Sequence, residues 1–343
     1  MKSNLYRVAL VGAAGLKGRE LNEVLTQRNF PAADVRLLDD DESLGQLEAA
    51  GDEASFIQAV RAEQFEKADF SFFASDEAFT RRYWGMAKNA GSAIIDLSYA
   101  LEDEPRMAIR SPWVEREMGS PPRADLESTS AVIAHPAAVV LAILLLRARK
   151  AGPLREVVAT IFEPVSERGK AGMDELHEQT VNLLSFQQMP KRVFDVQVAF
   201  NLLAHYGEKA GTSLDSVERR IAKHLKRITH DQVHVPPLVL LQSPIFHAYV
   251  FSIYIELERE HTLAELSQVF AGEHIKLTAA DEELPNNVNV AGEEDILVSV
   301  RPDITHPHGF WLWAAADNLK LAALTAVDCA AALALTRSRG SVQ

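Results

Sequence analysis

The stretch that most constrains this chain lies near its start. Tyr6–Val11 is a short apolar run that passes directly into Gly12-Ala13-Ala14-Gly15-Leu16-Lys17-Gly18. From Lys17 to about Gln27 the residues fall at helical spacing, with Leu21, Val24 and Leu25 on one face. Further strands are expected at Val35–Leu38, Phe70–Ala74, Ala93–Asp96 and Ala131–Ala134. Trp84 and Ala87 sit on a helical stretch between the third and fourth strands. Strands alternating with helices make a doubly wound α/β domain. Glycines at the first strand-to-helix turn let backbone amides approach a pyrophosphate, and the helix N-terminus that follows carries partial positive charge. The spacing is GxxGxxG rather than GxGxxG, and a tight turn that merely needs small residues has the same look. The order strand, turn, helix favours a nucleotide-binding design. The second strand ends in Asp39-Asp40-Asp41-Glu42, and Asp39 lies 21 residues past Gly18. A carboxylate there can bond a ribose 2′-hydroxyl and repels a 2′-phosphate, so NAD is possible and NADP less suited. A solvated acidic loop is the competing reading.

Beyond this domain the character changes. Asp103–Arg123, rich in proline and charge, reads as a surface connection, and Ala137–Lys150 as a long buried helix. Glu156–Glu163 and Phe246–Glu258 are β-rich, the latter alternating through Tyr249, Phe251, Ile253 and Ile255. Met173–Leu184 and Ser213–Ile228 are amphipathic helices, and Asp317–Leu335 is an Ala/Leu-rich helix suited to an interior. This is an α+β second domain. The apolar run from Pro136 is cut at Arg147, about half a membrane span. With 35 basic and 48 acidic residues the net charge is −13, which argues against nucleic acid and anionic membrane as partners. A single cysteine, Cys329, excludes an intramolecular disulfide and any Cys-rich metal site, and a cytoplasmic protein is expected. His230 and His234 lack a third ligand, and His306 and His308 lie in a loop without an acidic partner at suitable spacing. No metal is expected. Trp311 and Trp313 alternate as packing residues.

Several blocks, in order, carry a family resemblance over nearly the whole chain: VALVGAAGLKGREL at Val8–Leu21, RNFPAADVRLL at Arg28–Leu38, AIIDLSYAL at Ala93–Leu101, AVIAHPAA at Ala131–Ala138, GMDELHEQT at Gly172–Thr180, AFNLL at Ala199–Leu203, SPIFHAYVFSIYIELE at Ser243–Glu258 and AAADNLKLAA at Ala314–Ala323. The chain resembles the aspartate-semialdehyde dehydrogenase family. The resemblance implies a Rossmann-like N-terminal domain (1–134 plus 316–343) and an α+β dimerisation domain (135–315), hence a homodimer. It also implies a reaction in which a cysteine attacks an aldehyde, hydride leaves to NADP, and phosphate releases the acyl group. It places the cofactor at Gly12, Gly15, Leu16, Lys17, Gly18, Asp39, Ser75 and Asn318.

At the chemical positions the match fails. The family's Asn-Pro-x-Cys appears as His135-Pro136-Ala137-Ala138, so the nucleophile position holds Ala138, a methyl group that cannot form a thiohemiacetal. Ser128, Thr129 and Ser130 lie upstream and read as structural. The substrate arginine and the acid/base histidine seven residues on appear as Gln242 and Tyr249, with His247 a displaced candidate if it shares a strand face with Tyr249. The glutamine supporting the cysteine appears as Glu163, the Ser-Gly-Ala-Gly cofactor loop as Ser166-Glu167-Arg168-Gly169, and the phosphate-site arginine as Glu102. The Glu-x-Lys pair survives as Glu218 and Arg220. The pattern is similar to Usg-type homologues without the catalytic cysteine. It implies a dimeric binding or regulatory protein, with no cofactor required and an unknown small molecule or protein as partner. The alternative is an NAD(P)-dependent oxidoreductase with a cysteine-free mechanism, in which Tyr249 or His247 supplies the acid.

Overall fold

A computed structural model describes residues 5–50, 53–119, 130–279 and 282–336. The chain forms two compact units, Met1–Ala134 with Ala322–Gln343, and His135–Leu321. The first is built from β1 (Tyr6–Val11), α1 (Leu16–Gln27), β2 (Ala32–Asp39), a two-stranded hairpin of β3 (Leu47–Ala50) and β4 (Glu53–Phe56), β5 (Gln58–Ala59), β6 (Phe70–Phe73), α2 (Glu77–Asn89), β7 (Ala93–Asp96), β8 (Ala108–Arg110), α3 (Pro112–Glu117) and β9 (Ala131–Ile133). Seven strands pair in the order β5-β2-β1-β6-β7-β9-β8, and every pairing in this sheet is parallel. Val8–Val11, β6 and β7 are buried throughout, as a sheet covered on both faces requires.

The proline- and charge-rich connection is a correction. Residues 108–117 supply an outer strand and a short helix, with Trp113 and Val114 fully enclosed. Proline stands at the first position of α3, where its missing N–H costs nothing. The charges are paired: Arg110 forms a two-point contact with Glu115 at 2.8 Å, and Trp113 Nε1 donates to Asp328 at 2.9 Å. Composition signalled exposure because it does not show pairing. Residues 120–123 of that stretch, with Ser128 and Thr129, lie outside the described residues. Ser130 is structural: its Oγ accepts the Ile94 N–H at 2.9 Å.

The second unit runs α4 (Pro136–Ala151), β10 (Leu154–Glu163), α5 (Gly169–Leu184), α6 (Leu214–Ile228), β11 (Leu238–Gln242), β12 (Tyr249–Leu257), α7 (Leu263–Phe270), β13 (Ile275–Leu277), β14 (Ile296–Pro302), β15 (Gly309–Ala316) and the start of α8 (Asn318–Thr336). Its sheet is mixed, in the order β11-β10-β12-β15-β14-β13. Along β12, Tyr249, Phe251, Ile253, Ile255 and Leu257 are buried. The alternate positions share the other face: Tyr254 stands between Val158 and Trp311 in register, and Val158 and Trp313 are exposed. Arg147, which interrupts the apolar run of α4, is buried. Its guanidinium donates to the carbonyls of Phe270 and Glu273, each at 2.6 Å, and so satisfies the end of α7. Asn318–Leu335 is long and apolar enough to span a bilayer, but 72% of it is buried, as in a core helix. Among the described residues no three His, Cys, Asp or Glu side chains gather as a metal site. The loop of His306 does hold an acidic partner, contrary to expectation. Asp303 lies 3.1 Å from His306 Nδ1 and also accepts from Trp311 Nε1 at 2.7 Å.

Candidate functional site

In the first unit the groups of interest lie at the carboxyl ends of parallel strands, where open α/β sheets receive ligands. Gly12 ends β1 with φ +86°, and a Cβ there would stand 2.6 Å from the Ser75 amide nitrogen beyond β6. Gly18 is tighter, since its Cβ would meet the Gly12 carbonyl oxygen at 2.0 Å. Gly15 is the N-cap of α1 and meets only an ordinary contact at 3.4 Å. Two of the three glycines are therefore demanded by close backbone approach. No side chain caps α1, and its first turn holds no acid, so its N-terminal amides stay available to an anion. Leu16 is the first residue of the helix, and Lys17 Nζ stands 5.0 Å above the Tyr99 ring.

Asp39 is not part of a solvated loop. Asp40, Asp41 and Glu42 are exposed, whereas Asp39 is buried. Its Oδ2 accepts the Ala14 N–H at 2.7 Å and its Oδ1 the Asp40 N–H at 2.9 Å. Burial raises its pKa, and these two bonds oppose that shift. The carboxylate thus holds the glycine turn against β2. Asp96, at the end of β7, does the same for the next loop. Buried, it accepts from the Ser98 amide and hydroxyl and from the Leu101 amide, while Tyr99 takes φ +66°. The Asp-x-Ser spacing is an Asx-turn signal that sequence reasoning left unused.

In the second unit, Pro136 opens α4 and His135 caps it, with Nδ1 accepting the Ala137 N–H at 3.3 Å. The His135 amide in turn donates to Nδ1 of His224 at 2.9 Å. Both rings are buried, and since an N–H can only donate, both Nδ1 atoms act as acceptors. Ala138 occupies the first turn, fully buried, with its methyl where the resemblance places a thiolate. Tyr249 is also fully buried, its ring 5.9 Å from that of His135. His247 does not share its strand face. Ala248 between them takes φ +72°, so β12 begins only at Tyr249 and the two-residue alternation does not reach back.

Gln242 has no donor left for a ligand. Its Nε2 donates to the carbonyls of Glu163 (2.8 Å) and Ser243 (2.9 Å), and its Oε1 accepts from Tyr206 Oη at 2.6 Å. Glu163, fully buried, accepts from Arg168 Nη2, and the guanidinium lies 5.8 Å from the Tyr206 ring. Burial opposes the charge on Arg168, but Glu163 outweighs it and holds the guanidinium protonated; burial and Glu163 also raise the Tyr206 pKa. Asn318 is equally committed, bonded to the Ala248 amide, the Ser166 hydroxyl and Glu167. Glu218 accepts the Leu240 N–H at 3.1 Å, closing the free edge of β11, and Arg220 is half-buried on the same helix. The one cysteine, on the part of α8 that belongs to the first unit, is buried, and burial pushes its thiol up to about 12. A thiol so placed supplies almost no thiolate near neutral pH.

Sequence reasoning missed Tyr206 and His224 and saw Arg168 only as a departure from a glycine loop. His224 had a signal: it falls on the buried stripe of α6 with Val217, Ile221 and Leu225. Tyr206 had none, because its partner is 36 residues away.

The family domain described as "Semialdehyde dehydrogenase, NAD binding domain" matches residues 7–121, and "Semialdehyde dehydrogenase, dimerisation domain" matches residues 145–321. An aspartate-semialdehyde dehydrogenase of Rickettsia bellii is 28% identical over 96% of this chain and 98% of its own length. A USG-1 protein homolog of Pseudomonas aeruginosa is 29% identical over 95% of this chain and 96% of its own. A solved structure titled a probable aspartate-semialdehyde dehydrogenase, from Pseudomonas aeruginosa, superposes with a TM-score of 0.84 at 28% identity, covering 96% of this chain and 99% of that one.

Proposed function

The chain belongs to the semialdehyde dehydrogenase family, and we propose that it is a member without the family's thioester chemistry, serving as a homodimeric binding or regulatory protein. Ala138 carries this reading. It stands, fully buried, in the first turn of α4, and a methyl group offers no electron pair for attack on an aldehyde. Cys329 does not replace it, being enclosed in an apolar helix with its thiol pushed up to about 12. Gln242 and Tyr249 add to the loss, because one has both side-chain N–H donors committed to protein carbonyls and the other is fully buried. The burial of Tyr249 also weighs against a cysteine-free oxidoreductase that uses its phenol as acid.

The matched NAD-binding domain lends no support to the expectation that no cofactor is needed. We assign a nicotinamide dinucleotide to the Gly12–Gly18 turn as a ligand rather than a reactant, with NAD bound no more weakly than NADP, since Asp39 and the exposed Asp40 disfavour a 2′-phosphate. The homodimer is supported by the dimerisation domain and by the partly apolar outer face of the second unit's sheet, where Val158 and Trp313 are exposed.

The deciding experiment assays purified protein with aspartate semialdehyde, phosphate and either dinucleotide. No turnover is expected, and none from the Ala138→Cys variant, because residues that act as a unit do not restore activity singly. Steady turnover by the unaltered protein overturns the reading.

A further inference from the structure

We propose that Glu163 fills from within the place a ligand's carboxylate would take, so that the second unit holds a self-occupied anion site whose arginine is Arg168. Glu163 ends β10 fully buried, and Arg168, just before α5, donates to one of its oxygens. The contacts then close a ring: the Arg168 guanidinium lies against Tyr206, Tyr206 bonds Gln242, and Gln242 bonds back to the Glu163 carbonyl. A buried ion pair is poor value as pure structure, since a well-packed apolar pair of similar volume is often at least as stable. Nor does Glu163 use the whole fork. Arg168 Nε is buried without a hydrogen-bond partner, and so is the Ser243 hydroxyl next to Gln242. A guanidinium offers parallel donors that suit a carboxylate approaching in its plane. Here that fork is part-buried, with its Nε enclosed and unused, beside a glutamine with no donor to spare. The ligand class is a small carboxylate, excluded while Glu163 is ionised and in place.

The inference rests on the reading above only in the choice of this cluster as the site, so binding is measured apart from turnover. Thermal unfolding of Glu163→Ala is followed against sodium propionate, with sodium chloride at equal ionic strength as the control. A saturable rise in Tm is expected, with apparent affinity at least about tenfold above that of the unaltered protein. The rise should be lost in Glu163→Ala/Arg168→Ala. If Glu163→Ala does not fold, Glu163→Ser, which also vacates the place but keeps a polar group there, is titrated with propionate by calorimetry. Binding by the variant alone supports the proposal. An equal response in variant and unaltered protein, a response independent of Arg168, or no binding by either protein overturns it. Aldehyde turnover by the unaltered protein would sink the functional reading and leave this result standing.

Discussion

In the first unit the proposed site is made of backbone groups; in the second it is made of side chains. The turn at Gly12 is required by the fold itself, because Gly12 and Gly18 sit where a Cβ would collide with backbone atoms of Ser75 and Gly12. Amide donors at the head of α1 are a by-product of that packing, so they persist as long as the sheet does. The second unit is indifferent to its own chemistry. Ala138, Gln242 and Tyr249 are all buried, and both side-chain donors of Gln242 are bonded to protein carbonyls. A nucleophile or a ligand-facing arginine stabilises no fold, so a member without turnover, as proposed here, is free to pack these positions for stability. On the proposed reading, a binding turn made of backbone outlasts an active site made of side chains.

The largest effect tests the first half of that contrast. Gly18→Val should cost on the order of 4 kcal/mol, because the colliding atom is a carbonyl oxygen that cannot swing aside. Calorimetric unfolding reads this as loss of the first unit's transition; a variant that unfolds normally would show the turn to be dispensable. Arg168→Met tests the second half and should cost about 3 kcal/mol, since it leaves the enclosed Glu163 charge without its partner. Restoring stability by adding Glu163→Gln completes the cycle, and independent, additive losses would disprove the coupling. A lysine at Val158, on the open face of the second unit's sheet, should leave each fold intact and raise the dimer dissociation constant about a hundredfold or more by burying an unpaired charge. Light scattering over a dilution series measures it, and an unchanged mass would place the interface elsewhere. The smallest effect is at Ala248. Its φ of +72° suits glycine, so Ala248→Gly should stabilise by about 0.5 kcal/mol after the entropy of glycine is deducted. A destabilised variant in denaturant titration would mean that the methyl group packs well enough to offset the strain.

Much of the architecture was legible. Periodicity placed β1, α1, β7, α4 and α8 within a residue or two, and the spacing of the family blocks pointed to Ala138. Each of these rests on local information: an apolar period, a glycine turn, a residue counted from a neighbouring proline. What stayed hidden depended on partners remote in sequence. Arg147 looked like an interruption until α7, 123 residues on, supplied the Phe270 carbonyl. The charges of Arg110 and Glu115 looked solvated until they met each other beside an enclosed Trp113. Asp39 read as a ribose ligand or as part of a solvated acidic loop, and its bond to the Ala14 amide could not be seen from the sequence.

By itself, then, the amino-acid sequence determined the two-domain plan, the glycine turn and the identity of Ala138. A strand's alternation, a helix's stripe and the identity of a side chain need no knowledge of what lies opposite. Only the tertiary structure decided that Glu163 pairs with Arg168, that Gln242 bonds Tyr206 and the Glu163 carbonyl, and that Ala248 turns the chain so that His247 leaves the face of Tyr249. Those outcomes depend on which groups converge when both ends of the chain are folded. A polar side chain taken out of water must bond to whatever stands within about 3 Å of it, and that neighbour is set by packing and not by sequence distance.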